Sequence, residues 1–313
     1  MHTIPVATNP GVSSASTLDF VWLELTNRCN LQCVHCYAES SPTAGDKDLL
    51  SEQNYLDLIE QVYDLGCRKI QFIGGEPTLN RSLPVLIEAA YDRGFEFIEV
   101  FTNLTRLSDA LLDVFCRFNV AVATSFYSHN PNTHDAITNQ RGSFELTTRN
   151  MRRILDAGLT LRAGIIEMDQ NREDLVETWA FLERMGIKNI GRDHLRAIGR
   201  AEGSDCSGME ELCGSCAGNI LSIGPDGVVA PCNMSKRWSV GSILETDLAE
   251  IISSQKLLDV RKQIEEVVGE RTELQREAIC DPKTCNPYSS CCPSTQSCNP
   301  CAPNGCNPCY PKG

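Results

Sequence analysis

A chain of 313 residues, 42% hydrophobic and 22% charged, can hold one sizeable domain and a smaller second one, since a single core rarely grows beyond about 250 residues. Its 41 acidic against 28 basic residues, a net charge of −13, argue against nucleic acid as a partner, because phosphate binding needs clustered Lys and Arg. No apolar run reaches the roughly 18 to 20 residues that cross a bilayer, and Met1 to Ser16 lacks a basic start followed by an apolar stretch; no membrane partner and no export signal are expected, and the chain reads as cytoplasmic.

Residues 1–18 read as a flexible arm. The first expected strand, Phe20 to Leu25, leads into Cys29-Asn30-Leu31-Gln32-Cys33-Val34-His35-Cys36. Three thiolates this close can bind three irons of a cubane and leave the fourth open to a ligand, whereas four thiolates would close the site. A zinc site and three unrelated buried thiols are the plain alternatives, although zinc normally wants a fourth Cys or His and His35 sits too tightly inside the triplet. Next comes a helix from Glu52 to Leu65, with Tyr55, Leu58, Ile59, Val62 and Leu65 on one face. Further strands are expected at Lys69 to Ile73, Phe95 to Thr102, Val120 to Phe126, Leu161 to Glu167 and Asn189 to His194. Leu175, Val176, Trp179, Leu182 and Met185 mark another helix. Gly66, Gly94, Gly158 and Gly186 stand where helices should stop.

Six βα units follow, and alternation of this kind predicts an α/β fold: a partial (βα)6 barrel over residues 19–202, with reactive groups at the C-terminal ends of its strands. Cys29, Gly74 to Pro77, Asn103 and Ser125 fall there. Arg162, Glu167, Arg192, His194 and Arg196 lie on or beside the last strands, where they could face a cavity; His194 is the candidate for proton transfer, against the commoner structural role of a lone His. His129 and His134 read as loop residues, and Cys67 and Cys116 as small core residues.

After Gly203 the character changes, and residues 203–313 read as a small Cys-rich domain. Ile220 to Ile223 and Val228 to Ala230 flank Pro225-Asp226-Gly227 as a hairpin, and Asp247 to Val268 reads as a helix. Cys280 to Gly313 holds eight Cys and seven Pro in 34 residues, a composition that supports neither a helix nor an ordinary core. Seventeen cysteines in a large chain without an export signal point to thiolate ligation of metal rather than disulfides.

The Cys-x3-Cys-x2-Cys loop after the first strand, with Gly74-Gly75-Glu76-Pro77 after the second, resembles the radical S-adenosylmethionine (SAM) superfamily. The resemblance implies a 4Fe-4S cluster on Cys29, Cys33 and Cys36 whose open iron chelates SAM, reductive cleavage of SAM to a 5′-deoxyadenosyl radical, and hydrogen abstraction from a substrate. It further implies that His35 packs on the adenine, that Gly74, Gly75 and Glu76 meet the methionine ammonium, and that Thr102, Asn103 and Ser125 touch the ribose or carboxylate. Gly-Gly and Thr-Asn pairs are also ordinary turn residues.

Gly199-Arg200-Ala201, Cys216 with Gly227 and Cys232, and Val240 to Ile243 resemble the start of the SPASM or twitch extension. That extension implies one or two auxiliary 4Fe-4S clusters, the first begun by Cys213, Cys216 and Cys232, the second by Cys280, Cys285 and either Cys291 or Cys292. The family implies a reductant such as flavodoxin or ferredoxin. Its substrates include ribosomally made peptides, the first expectation here, and sugars or aminocyclitols undergoing oxidation or epimerisation, the second. An iron-sulfur carrier could use the same thiolates without needing Gly74 to Pro77.

Overall fold

The computed structural model describes residues 18–44, 47–202 and 208–268. Six parallel strands, β1 (Phe20–Glu24), β2 (Lys69–Ile73), β3 (Phe97–Phe101), β4 (Ala121–Phe126), β5 (Leu161–Glu167) and β6 (Asn189–His194), lie side by side in chain order. Both faces of such a sheet are covered, which is why β1 and β4 are buried along their whole length. The crossovers are α1 (Glu52–Asp64), α2 (Leu83–Arg93), α3 (Asp109–Arg117), the pair α4 (Pro131–Thr138) and α5 (Ser143–Asp156), and α6 (Leu175–Arg184). Helix α1 starts at a capping box between Ser51 and Asn54 and buries Tyr55, Leu58, Ile59 and Val62; α2 stops at Gly94, at φ +100°.

The Cys-rich region adds to the same sheet. Strand β7 (Ile220–Ile223) pairs parallel with β1, and β8 (Val228–Ala230) and β9 (Gly241–Ser242) continue antiparallel, giving nine strands in the order 6-5-4-3-2-1-7-8-9. One hydrophobic core runs from Leu18 through the barrel to Val268.

The helix expected over Asp247 to Val268 is two helices, α7 (Leu248–Ile252) and α8 (Gln255–Val268). Two serines divide them: Ser253 Oγ donates back to the Ala249 carbonyl at 2.8 Å, and Ser254 Oγ accepts from Leu257 N at 3.2 Å. Cys67 is buried as expected, but Cys116 is exposed on α3. His134 is not a loop residue either, because Asn130 caps α4 and Pro131 opens it, which places His134 on the buried face. No helix among the described residues is long and apolar enough to cross a membrane.

Candidate functional site

At the C-terminal ends of the strands the loop after β1 is stitched to the turn after β2. Gly75 N donates to the Thr26 carbonyl at 2.7 Å and Glu76 N to the Arg28 carbonyl at 2.9 Å. Glycine is required here by contact. A Cβ at Gly75 would lie 2.3 Å from Arg28 O, and one at Gly74, whose φ is +149°, would lie 2.6 Å from Thr26 O. The far end of the loop is tied by Cys29 N to Ser41 O (3.0 Å), and its middle by Val34 N to Ile137 O on α4 (3.0 Å).

This arrangement sets Cys29, Cys33 and Cys36 around an open cavity, which His35, Gly74, Gly75, Asn103 and Ser125 also line. Among the described residues no three His, Cys, Asp or Glu side chains are grouped to hold a single metal ion. Three thiols spaced around a cavity suit a multi-iron cluster better than a mononuclear zinc. Burial pushes the Cys29 and Cys33 thiols up, Cys33 to about 12, so metal binding there must expel protons.

The polar partners converge from three strands. Asn103, after β3, points Nδ2 at Cys29 Sγ (3.7 Å) and donates to Asn30 Oδ1 (3.0 Å), while Thr147 on α5 donates to the Asn103 carbonyl (2.9 Å). Ser125, at the end of β4, lines the cavity, and its buried Oγ has no hydrogen-bond partner among the described residues. The His35 ring stands edge-on to Tyr127, at 4.9 Å between centroids.

Two expected residues are placed elsewhere. Glu76 is fully buried and its carboxylate faces into the protein, accepting from Thr78 N (3.1 Å), Thr78 Oγ1 (2.7 Å), Thr102 Oγ1 (2.6 Å) and Asn103 N (2.8 Å). It braces the turns after β2 and β3 from beneath and does not line the cavity. His194 sits at the end of β6 with Nδ1 3.3 Å from Asp193 Oδ1, outside the cavity lining. Its neighbours are likewise engaged: Arg162 bonds Glu99 twice (2.6 and 2.7 Å), Arg192 pairs with Glu167 (2.5 Å), and Arg196 pairs with Asp193 (2.9 Å).

Residues not anticipated in this site include Tyr127, His134, Thr138 and Thr147, which also line the cavity. The Asn130-Pro131 start of α4 was the available signal for His134. Its ring packs on Phe126 (4.9 Å) and Tyr127 (5.3 Å), and its buried Nδ1 has no hydrogen-bond partner among the described residues. Burial pushes His134 down from 6.5 to about 4. The native state therefore holds a neutral imidazole where the unfolded chain would bind a proton, so this contribution to stability is intact above pH 6.5 and falls away between 6.5 and about 4. The loss should reach about 3 kcal/mol at His134. Denaturant unfolding of the metal-free protein should show it, with His134→Phe flattening that part of the pH profile; His35, shifted the same way, leaves a residual slope. An identical slope in the variant would refute the assignment.

A second cavity is bordered by Cys213, Cys216 and Cys232, with Trp22 of β1 among its walls. Cys216 and Cys232 approach to 3.0 Å between sulfurs. Cys280, Cys285, Cys291 and Cys292 lie outside the described residues.

A sequence model described as the radical SAM superfamily matches residues 23–182, and one described as an iron-sulfur cluster-binding domain, SPASM, matches 213–286. Among curated relatives, Fe-coproporphyrin III synthase of Methanosarcina barkeri is 28% identical over 180 residues, covering 58% of this chain and 44% of the relative. The antilisterial bacteriocin subtilosin biosynthesis protein AlbA of Bacillus subtilis is 26% identical over 179 residues, covering 56% and 39%. The chain thus matches about half, or less, of the length of these relatives. Among solved structures, Streptococcus suis SuiB bound to its precursor peptide SuiA shares the fold, with a TM-score of 0.64 at 12% identity over 79% of this chain and 67% of that one.

Proposed function

The chain belongs to the radical SAM superfamily, and from that premise we propose that it modifies a ribosomally made peptide, with Cys29, Cys33 and Cys36 holding the cluster that binds SAM. Its cofactors are a 4Fe-4S cluster and SAM, and its SPASM domain carries auxiliary iron-sulfur clusters. The observation that carries the site assignment is the meeting of three thiols, the Gly74-Gly75 backbone, Asn103 and Ser125 around one cavity at the strand ends.

When bound, the reduced cluster and SAM supply a 5′-deoxyadenosyl radical that takes a hydrogen atom from the substrate. The chain's own part is placement. Gly74 and Gly75 leave room for close backbone approach to the methionine end, and Ser125 and Asn103 offer hydrogen bonds to polar groups. His35, neutral through burial, and Tyr127 give the adenine an aromatic wall and exclude water. Glu76 acts one step back, fixing Asn103 through its backbone N–H. Cys213, Cys216 and Cys232 begin an auxiliary-cluster site. A one-electron donor such as flavodoxin or ferredoxin, in the cytoplasm, completes the system.

Support for a peptide substrate comes from AlbA, a relative named for bacteriocin biosynthesis, and from SuiB, which has this fold and takes a precursor peptide. Fe-coproporphyrin III synthase, a relative of similar identity, favours a second reading in which the substrate is a small molecule. The two separate in one assay. Anaerobically reconstituted protein with SAM and dithionite should form 5′-deoxyadenosine and change the mass or configuration of a short peptide encoded beside its gene. Turnover of a sugar or other metabolite from a neighbouring pathway, with the peptide untouched, would replace the first reading by the second.

A further inference from the structure

The Gly199-Arg200-Ala201 turn after β6 lies against the thiol-bearing loop, although 163 positions separate Arg200 from Tyr37 in the chain. Gly199, at φ +63°, is pressed so close that a Cβ would stand 2.4 Å from Tyr37 O and 2.5 Å from Cys36 O. That approach delivers Arg200. Its backbone N–H donates to the Cys36 carbonyl at 3.1 Å, Nη1 donates to the Cys33 carbonyl at 2.5 Å, and Nη2 donates to the Ser40 carbonyl. One half-buried residue therefore holds the carbonyls of two of the three thiol-bearing residues and that of Ser40, next to the Ser41 carbonyl that ties the end of the loop.

On both sides of Arg200 the same segment is anchored to the Cys-rich region. Glu202 pairs with Arg237, Ala197 N donates to Glu211 Oε2 at 3.1 Å, and Arg196 Nη1 donates to the Glu211 carbonyl at 2.5 Å. The guanidinium is thus a fixed fork seated between the two halves of the molecule.

We propose that Arg200 is a positioning residue for the cluster on Cys29, Cys33 and Cys36: its fork holds the ligand loop in shape, and its charge, fixed at the Cys33 backbone, stabilises the reduced cluster. The two contributions are separable because Lys keeps the charge but, as a flexible point donor, does not reproduce the planar fork that grips two carbonyls. A positive charge and hydrogen bonding near an iron-sulfur cluster raise its reduction potential, and their loss lowers it.

The test uses full-length, anaerobically reconstituted protein and two readouts: the midpoint potential of each cluster, followed by electron paramagnetic resonance, and the rate of iron loss to a chelator. Arg200→Met should move the potential of this cluster to more negative values and speed its iron loss on the order of tenfold, leaving the auxiliary signal in place. Arg200→Lys should keep the wild-type potential and still lose iron faster. The proposal is overturned if Arg200→Met matches the wild type in both readouts, if Lys restores both, or if all cluster potentials move together in either variant. Should Arg200→Met not fold, Arg200→Lys decides the fork on iron loss and the charge on potential. The proposal rests on the cluster assignment above, which the iron content of wild type against the Cys29, Cys33 and Cys36 triple alanine variant tests separately.

Discussion

Protein with Cys29, Cys33 and Cys36 all replaced by alanine is expected to form no 5′-deoxyadenosine from SAM, while keeping the iron bound elsewhere. The three thiols border one cavity and Cys213, Cys216 and Cys232 border another, with β1 and its loop between them, so the two sets of ligands are not shared. Cys29 is buried and Cys33 and Cys36 are half-buried, and none of the three is part of the hydrophobic core, so their truncation leaves that core intact and the fold should survive. Iron and sulfide counting on reconstituted protein, with electron paramagnetic resonance of the reduced sample, should show one cluster fewer than in the wild type. Retained 5′-deoxyadenosine formation would sink the assignment of this site.

Glu76→Ala is expected to weaken the protein before SAM is added. Four donors, Thr78 N, Thr78 Oγ1, Thr102 Oγ1 and Asn103 N, converge on a carboxylate with no exposure to solvent. Truncation leaves them without an acceptor, at about 1 to 3 kcal/mol for each buried group that water does not reach. Relief from burying a carboxylate offsets part of this. A net loss of about 3 kcal/mol is expected, roughly 4 to 5 °C in Tm for a chain of this size. Since Asn103 N is one of the four donors and Asn103 lines the cavity, SAM affinity should fall with stability, and Glu76→Gln, which keeps one acceptor oxygen, should lie between. A variant with unchanged Tm and weakened SAM binding would instead return Glu76 to direct contact with the methionine ammonium.

The alternation of apolar runs and helical periodicities placed all six barrel strands within a residue or two, because short apolar runs and the 3.6-residue period leave different marks, with β6, which carries Asn189, Arg192, Asp193 and His194, the polar exception. The loop bearing Cys29, Cys33 and Cys36 and the turn bearing Gly74 and Gly75 were equally legible, since close thiol spacing and paired glycines carry their chemistry in local order. Helix α4 was missed as a home for His134 because its apolar face is short and its cap is the clearer signal.

Sequence by itself determined which residue types stand at which strand ends; it did not determine which way they point. Glu76 and Asn103 both follow adjacent strands, three and two residues past their ends, yet one faces into the protein and the other into the cavity; the donors of Thr78 and Thr102, from two different turns, hold the Glu76 carboxylate inward. Likewise Arg162 on β5 is drawn to Glu99 on β3, a partner brought near through β4, which pairs with both strands. Arg200 reaches the thiol loop, and β7 reaches β1, only because the barrel curls its last strand and the following chain back toward its first. Such contacts join groups far apart in sequence, and their energies depend on distance and desolvation, quantities that exist only once the chain is folded.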